Sequence, residues 1–422
     1  MIMIKKDSLG AWWIWILGAA FFFFEYVVRV SPSVMAQQLI DDFHITAYAL
    51  GTLSAFFYYA YIVMQIPVGT LVDRFSVRWL VGSMTVLCAA SAFLFAHTHT
   101  FGFAELSRLL IGVTGAFAFV GALKLATVWF SPRRFGFLTG TTQALGMLGA
   151  SVGTGPLAIM VAHQGWRHTL NFLGVLLIIL AVLIFVFMRD RPSSAKPAST
   201  QRVKVWQGVG SVLRNPMTWI NGVIVGLLYA PTGAFGELWG PLYIHKVYGI
   251  SPEDAAALIS VVFVGWAIGS PVIGWISDYI RRRKVIIIGS AACSLVLICV
   301  LLYMPFLPLA VLYVVAFVYG FCNVGVSTCY AVSCEINEPQ WAGTSLGFTN
   351  MASIMVAAAF QPIIGWLLDL GWHGHLVHGH RIYSVHDFQW SMLALPVCLV
   401  VCLVFCCFLK ESYGMNQTVR LH

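Results

Sequence analysis

The sequence predicts an all-α membrane protein with twelve transmembrane helices in two pseudo-symmetric six-helix halves. Three observations carry that prediction. Of the 422 residues, 59% are hydrophobic and 9% are charged, with a mean hydropathy of +0.85, whereas a soluble domain carries about one charged residue in four. Apolar runs of about 20 residues, enough to cross the hydrocarbon core as helix, recur along the whole length. A loop motif of glycine, aspartate and basic residues occurs twice, half a chain apart.

The runs fall at 11–37, 46–71, 79–97, 102–130, 135–162, 167–188, 216–246, 254–278, 285–304, 308–334, 343–369 and 388–409. The first follows Lys5 and Lys6, as a signal peptide would, but no small-residue cleavage site follows it in a polar setting, so it reads as a retained span. Basic residues occupy alternate connections: Lys5 and Lys6, Arg74 and Arg78, Arg133 and Arg134, the group from Arg189 to Arg214, Arg281 to Lys284, and Lys410. The intervening loops hold Arg167, Lys246 and Arg381. Positive residues stay inside, so both termini are expected in the cytoplasm of a multi-pass protein of the bacterial inner (plasma) membrane. The formal charge of +8 is then topological, with the lipid bilayer and not nucleic acid as partner. The ten cysteines are scattered in apolar spans, where small residues pack; no disulfide or zinc framework is indicated.

After the second span comes "PVGTLVDRFSVRW", from Pro67, and after the eighth "PVIGWISDYIRRRK", from Pro271. Between them "RDRPSSAKPASTQRVKVW" is the only long Ser-, Pro- and Lys-rich stretch. It reads as a flexible linker, giving an N-terminal half at 1–190, a linker at 191–214 and a C-terminal half at 215–422. Duplicated halves are how many secondary transporters are built, with the solute site near the midplane.

The doubled loop, the twelve spans and the central linker resemble the major facilitator superfamily over essentially the whole chain. In that family the loop's Asp and Arg hold neighbouring helices together and regulate the conformational switch. The resemblance implies those roles for Gly69, Asp73, Arg74 and Arg78, and for Gly274, Asp278 and Arg282. The second copy has Tyr279-Ile280 where the first has Arg74-Phe75. Within the family, "EYVVRVSPSVM" is similar to the first-helix Tyr-x-x-Arg segment of the organic anion and organophosphate branches, whose Arg binds the anionic group. "LKLATVWFSPRR" places Lys124 where that branch has a basic residue before the end of the fourth helix, Arg in the family and Lys here. "RVSPSVM" with "YYAYIVMQIPVGTLVDR" also resembles the phagosomal nutrient transporters of intracellular bacteria, importers of amino acids and nucleosides.

The residues argue independently of the resemblance. An ionisable group at membrane depth costs about 2.5–3.5 kcal/mol or more and marks a pathway. Glu25 lies near the middle of the first span and Arg29 one turn further out, so they either serve a site or neutralise each other as a structural pair four residues apart. Lys124 has no acidic residue three or four positions away. Arg108, three residues after Glu105, reads as an interfacial pair or a snorkelling side chain. Glu237, in "YAPTGAFGELWGPLY", stands in a seventh helix loosened by Pro231, Gly233 and Gly236. There it carries the coupling proton or binds a substrate ammonium, unless it sits hydrated at the outer interface.

Tyr58, Tyr61 and Gln65 form a stripe on the second helix, and Gln143 and Asn350 occupy matching places in the two halves. These are cavity-lining candidates, or interhelical hydrogen-bonding groups. Gly146, Gly149, Gly153 and Gly155 before Pro156 indicate close helix packing, and the departure from the family's antiporter motif argues against antiport. "GWHGHLVHGHRIYSVHD" holds His373, His375, His378, His380 and His386 without ordered zinc spacing, so an exposed polar loop is expected and no metal. No Walker loop and no soluble catalytic domain occur, so no cofactor, ATP or enzyme activity is expected. The expectation is a monomeric secondary active transporter working by alternating access and coupled to protons. Arg29 and Lys124 would bind a small carboxylate-bearing metabolite, an organic anion or an amino acid-like zwitterion. Glu25 and Glu237 are its proton-coupling candidates, Glu237 the better because Arg29 would hold Glu25 ionised. The alternatives are a drug or siderophore exporter and a non-transporting sensor.

Overall fold

The structure, a computed structural model, describes residues 8–131, 134–190, 205–304, 306–372, 374, 376–377, 380–381, 383–415 and 417. Among them, eleven helical stretches are long and apolar enough to cross a bilayer. One of these, α6 (Phe135–Phe187), has 53 residues, about 80 Å of helix at a rise of 1.5 Å per residue. A hydrocarbon core is only about 30 Å thick. The helix breaks at Gly165, with φ 78° and ψ 161°, a backbone conformation open to glycine. It therefore supplies two crossings, 135–164 and 166–187, and the total is the expected twelve.

The chain divides into two compact units. The first comprises Met1–Phe43 and Leu53–Thr200. It contains α1 (Leu9–Val30), α2 (Pro32–Phe43), most of α3 (Ala47–Arg74), α4 (Val77–His97), α5 (Phe101–Trp129) and α6. Helix α1 packs along α6 and α5. Its approach to α6 is close because Gly146, Gly149 and Gly153 leave no side chain in the way. A Cβ at Gly149 would strike the Phe23 carbonyl, and one at Gly153 would sit 2.8 Å from that of Val27. Small residues let helices meet where lipid supplies no hydrophobic drive. At the Gly165 break, the Trp166 amide donates to Gln38 at 3.1 Å and its indole to Asp42 at 2.8 Å. Arg167 pairs with the same carboxylate.

The second unit comprises His44–Thr52 and Gln201–His422. It contains the start of α3, then α7 (Val205–Arg214), α8 (Pro216–Pro231), α9 (Gly240–Tyr248), α10 (Pro252–Ile280), α11 (Arg283–Tyr303) and α12 (Leu309–Cys322). Helices α13 (Gly325–Glu335), α14 (Ala342–Gly371), α15 (Val385–Met392) and α16 (Ala394–Phe408) complete it. A two-residue hairpin, β1 (Leu376–Val377) with β2 (His380–Arg381), lies between α14 and α15. Helix α14 packs on α8, and α10 on α12. Most of the expected linker, residues 191–204, lies outside the described residues, while 205–214 form α7.

The crossing from α8 to α9 is continuous but changes geometry at Pro231. Residues Thr232–Trp239 form a π-helix, in which Gly240 donates back to the Phe235 carbonyl. Pro231 has no N–H to give, and the glycines at 233 and 236 lower the barrier to the wider turn. Such π segments concentrate at functional sites. The expected loosening at Pro231, Gly233 and Gly236 is what the structure has.

Candidate functional site

In the first unit the site is built on the break between α1 and α2. Pro32 cannot donate to the Val28 carbonyl, so that oxygen takes the Ser31 hydroxyl at 2.9 Å and Arg108 Nη1 at 3.1 Å. Arg108 Nη2 donates to the Arg29 carbonyl at 3.0 Å. Arg108 is fully buried, so the snorkelling expected of it gives way to an inward course. In a water-free medium, a buried guanidinium needs such acceptors.

Arg29 Nε lies 3.0 Å from Glu25 Oε1, with 2% and 0% of the two side chains exposed. Its guanidinium carbon stands 4.0 Å from the Tyr26 ring, 4.8 Å from Phe57 and 5.3 Å from Tyr61. A buried guanidinium among aromatic faces gains about 1–2 kcal/mol from them. Gly115 of α5 makes the room: a Cβ there would lie 2.8 Å from Glu25 Oε1. The arrangement can hold a carboxylate against an arginine fork, and Glu25 fills that place here.

Lys124 is elsewhere. Glu25 faces Gly115, and Gly18 of α1 faces Leu125 and Ala122, so Lys124 sits nine residues along α5 from the charge pair. That is about 13 Å of axial rise. The two cations expected to act together thus stand at different depths, and Lys124 is half-buried. Of the stripe on α3, Tyr61 lies under Arg29, while Tyr58 is buried with its ring edge-on to Phe57 at 5.1 Å. Gln65 and Gln143 are half-buried.

In the second unit Glu237 is 1% exposed, which removes the hydrated-interface alternative. It accepts the Tyr229 hydroxyl at 2.7 Å. The carbonyls around the junction of α8 with the π segment find partners from other helices. Asn323 donates to Leu228 O at 3.2 Å, Gln361 to Gly233 O at 2.7 Å, and Cys398 to Leu227 O at 3.5 Å. Asn323 also accepts the Thr232 hydroxyl at 2.7 Å and donates to Ser294 at 3.1 Å. Asn350 accepts the Tyr330 hydroxyl at 2.8 Å. Sequence reasoning missed Asn323, Tyr229 and Gln361. Their signal was polar side chains within apolar spans beside a predicted helix break.

The two repeated loops are tied differently. In the first, the Arg78 amide donates to Asp190 Oδ1 at 2.9 Å and the Ser76 hydroxyl to Oδ2 at 2.6 Å. The Arg78 guanidinium donates to the Phe185 carbonyl. Arg74 is exposed, and the side chain of Asp73 lies outside the described residues. In the second, Arg283 is the buried arginine. It pairs with Asp278 at 2.7 Å and Glu335 at 2.9 Å and donates to Ser277 at 2.8 Å. Arg282, expected there, is exposed. The repeat itself held the correction: Arg78 follows Gly69 by nine positions, as Arg283 follows Gly274. A Cβ at either glycine would meet nothing within 4 Å among the described residues.

A further cluster lies at the C-terminal end of α14. Asp369 accepts the Tyr48 amide at 2.9 Å and pairs with Arg381 at 3.2 Å. Tyr383 donates to Asp369 and accepts the Ala47 amide at 3.1 Å. A carboxylate at a helix start is favoured by the helix dipole. Burial, and then the bond to Asp369, push the Tyr383 phenol above its ordinary range, so the hydroxyl stays a donor. Of the histidine-rich stretch, His373, His375 and His378 lie outside the described residues, as does the side chain of His380, and His386 is exposed. Among the described residues no three metal-ligating side chains converge.

Twelve apolar crossings, with a buried ion pair and buried polar side chains within them, define a polytopic membrane protein. The Major Facilitator Superfamily description matches residues 14–362, and the chain belongs to that family. It is 26% identical over 381 residues to the membrane sensor protein UhpC of Salmonella typhimurium, covering 85% of each chain. It is 25% identical over 368 residues to a protein of Escherichia coli named "Probable L-galactonate transporter", covering 82% of this chain and 80% of that one. The fold matches an inward-facing, unoccupied bacterial homolog of the human lysosomal transporter Spinster. That match has a TM-score of 0.79 and 15% identity, over 97% of this chain and 98% of the other.

Proposed function

We propose that the chain is a proton-coupled secondary active transporter of a small carboxylate-bearing metabolite, with both termini in the cytoplasm of a bacterial inner membrane. The observation that carries the reading is the buried Glu25–Arg29 pair within its aromatic enclosure. A carboxylate already occupies the arginine, so a solute carboxylate can take its place only when Glu25 withdraws. Protonating Glu25 removes its charge and releases Arg29, whose planar fork suits a carboxylate. Solute and proton then bind together and leave together, which is the thermodynamic requirement of symport.

Sugar acids are the first solutes to test, since a relative is named for L-galactonate. Glu237, held by Tyr229, is the second proton-coupling candidate, and an amino acid-like zwitterion would place its ammonium there. Lys124 serves as a separate station for the anion nearer the basic loops. Asn350, Gln143 and the stripe of Tyr58, Tyr61 and Gln65 supply neutral contacts. Asp73, Arg78, Asp278 and Arg283 form the ties that change between states.

The test is uptake of labelled galactonate and related sugar acids into proteoliposomes under an imposed pH gradient. Wild-type protein accumulates one of them, and Arg29→Gln does not. Undiminished uptake by Arg29→Gln would remove the arginine from the site. A second reading, a non-transporting sensor, draws on the likeness to UhpC; saturable binding without flux would favour it.

A further inference from the structure

The end of α10 and the chain after α16 border an open surface pocket outside the sites above. Its volume is about 400 Å³, and it is lined by Ile280, Arg281, Arg282, Tyr413 and Met415, within the range of small-molecule sites. The chain after α16 is fastened there by its own bonds. Glu411 accepts the amides of Arg283 and Lys284 at 2.7 and 3.1 Å, capping the start of α11. The Ser412 hydroxyl donates to Glu335, and Gln417 donates to the Glu335 carbonyl at 2.8 Å. The acidic side chains of this corner are therefore engaged by Arg283, Lys284 and Ser412. Among the described residues neither the Arg281 nor the Arg282 guanidinium has an acceptor. Two walls of the pocket, Arg281 at φ 54° and Tyr413 at φ 55°, adopt the left-handed conformation that costs non-glycine residues energy and concentrates at functional sites.

The pocket's depth is marked by its neighbours. Trp275 and Tyr279, 67% and 79% exposed, stack at 5.8 Å on the outer face of α10. Exposed Trp and Tyr at a helix end mark the level of the lipid headgroups. Two arginines open at that level, beside the apolar surfaces of Ile280 and Met415, match an anion that carries hydrocarbon with it.

We propose that this pocket binds a phosphate-bearing anion, the headgroup of an acidic phospholipid, with Arg281 and Arg282 on the phosphate and Ile280 and Met415 against the acyl-glycerol portion. The proposal does not rest on the transport reading. Its test is native mass spectrometry of the full chain released from mixed phosphatidylglycerol and phosphatidylcholine membranes. Wild-type protein retains phosphatidylglycerol over phosphatidylcholine by about tenfold or more, since each basic residue near the surface contributes roughly fivefold. Both Arg281→Gln/Arg282→Gln and Met415→Glu, checked for folding by gel filtration, bring the ratio close to parity. Arg74→Gln, an exposed arginine of the other loop, leaves it unchanged.

Millimolar inorganic phosphate fails to displace the lipid. If it does displace it, and alone raises the melting temperature of wild type but not of the double variant, the anion site stands and its occupant is soluble phosphate. Parity in wild type, an undiminished ratio in the double variant, or an equal loss in Arg74→Gln would overturn the proposal.

Discussion

Glu25→Gln removes the charge that faces Arg29 and keeps the shape of the side chain that fills the space beside Gly115. With the pair 3.0 Å apart and 0% and 2% exposed, the variant strands a guanidinium in a dry site. Breaking a buried pair from one side costs about 3–5 kcal/mol. The rings of Tyr26, Phe57 and Tyr61 offset about 1–2 kcal/mol of that, leaving about 2–3 kcal/mol. The same quantity is what a solute anion must overcome in the wild type to displace Glu25. Its removal should tighten binding about 30- to 150-fold, at tenfold per 1.4 kcal/mol.

Three readouts follow from that one number. Without solute, Glu25→Gln should unfold more readily than wild type, and a saturating sugar acid should restore it. Equilibrium binding should strengthen by the stated factor. Wild-type binding should also improve as pH falls, because a proton on Glu25 and an anion on Arg29 favour each other, whereas Glu25→Gln should bind equally at pH 5.5 and 7.5, values spanning roughly the range in which such switches operate. A folded Glu25→Gln that binds no tighter, or keeps the wild-type pH slope, would refute the displacement reasoning.

Glu237→Gln should abolish accumulation driven by a pH gradient while leaving solute exchange without one, and Tyr229→Phe should weaken the same coupling; loss of exchange as well would place Glu237 in the solute site. Lys124→Gln should slow uptake with little change in equilibrium affinity, since the lysine stands about 13 Å along α5 from the charge pair; unchanged initial rates would remove it from the pathway. Arg283→Gln should lower stability by about 2–3 kcal/mol, the scale of a lost charged hydrogen bond to a buried partner, while Arg282→Gln should stay within about 0.5 kcal/mol as a surface change. Thermal unfolding of the two variants in detergent compares them directly.

The twelve crossings were legible because hydropathy is a property of each segment alone, and every expected run falls on a helical crossing of the structure, some of them broken into successive helices. The break at Pro231 was legible for the same reason, since a proline's missing N–H does not depend on its neighbours. What the sequence could not reveal was which cations share a depth. Lys124 and Arg29 look like partners when both are simply intramembrane charges. The register of α1 against α5, fixed by Gly18 and Gly115, separates them. Arg108 was misjudged because its acceptors are backbone carbonyls, exposed by a proline 76 positions away and carrying no side-chain signature. The displacement of Arg282 by Arg283 was a matter of counting: the second loop offers three consecutive arginines, and only the common nine-residue offset from the glycine selects among them.

The two units meet the same difficulty, a proline-broken helix in a medium without water, and resolve it with different chemistry. At Pro32 the uncovered carbonyls are taken by a full charge, Arg108, and a second arginine lies one turn away against its carboxylate. At Pro231 they are taken by neutral groups, Asn323, Gln361 and Cys398, and the nearby carboxylate rests on a phenol. A carboxylate held by an arginine exchanges well with another anion, because both present the same charge to the same fork. One that accepts a phenol's hydrogen bond keeps an acceptor oxygen for it with or without a proton. On the proposed reading, the first unit exchanges one anion for another as Glu25 takes its proton, and Glu237 offers a second place for one. It is also why Glu25→Gln, unlike Glu237→Gln, is expected to bind solute more tightly as well as to lose its pH dependence.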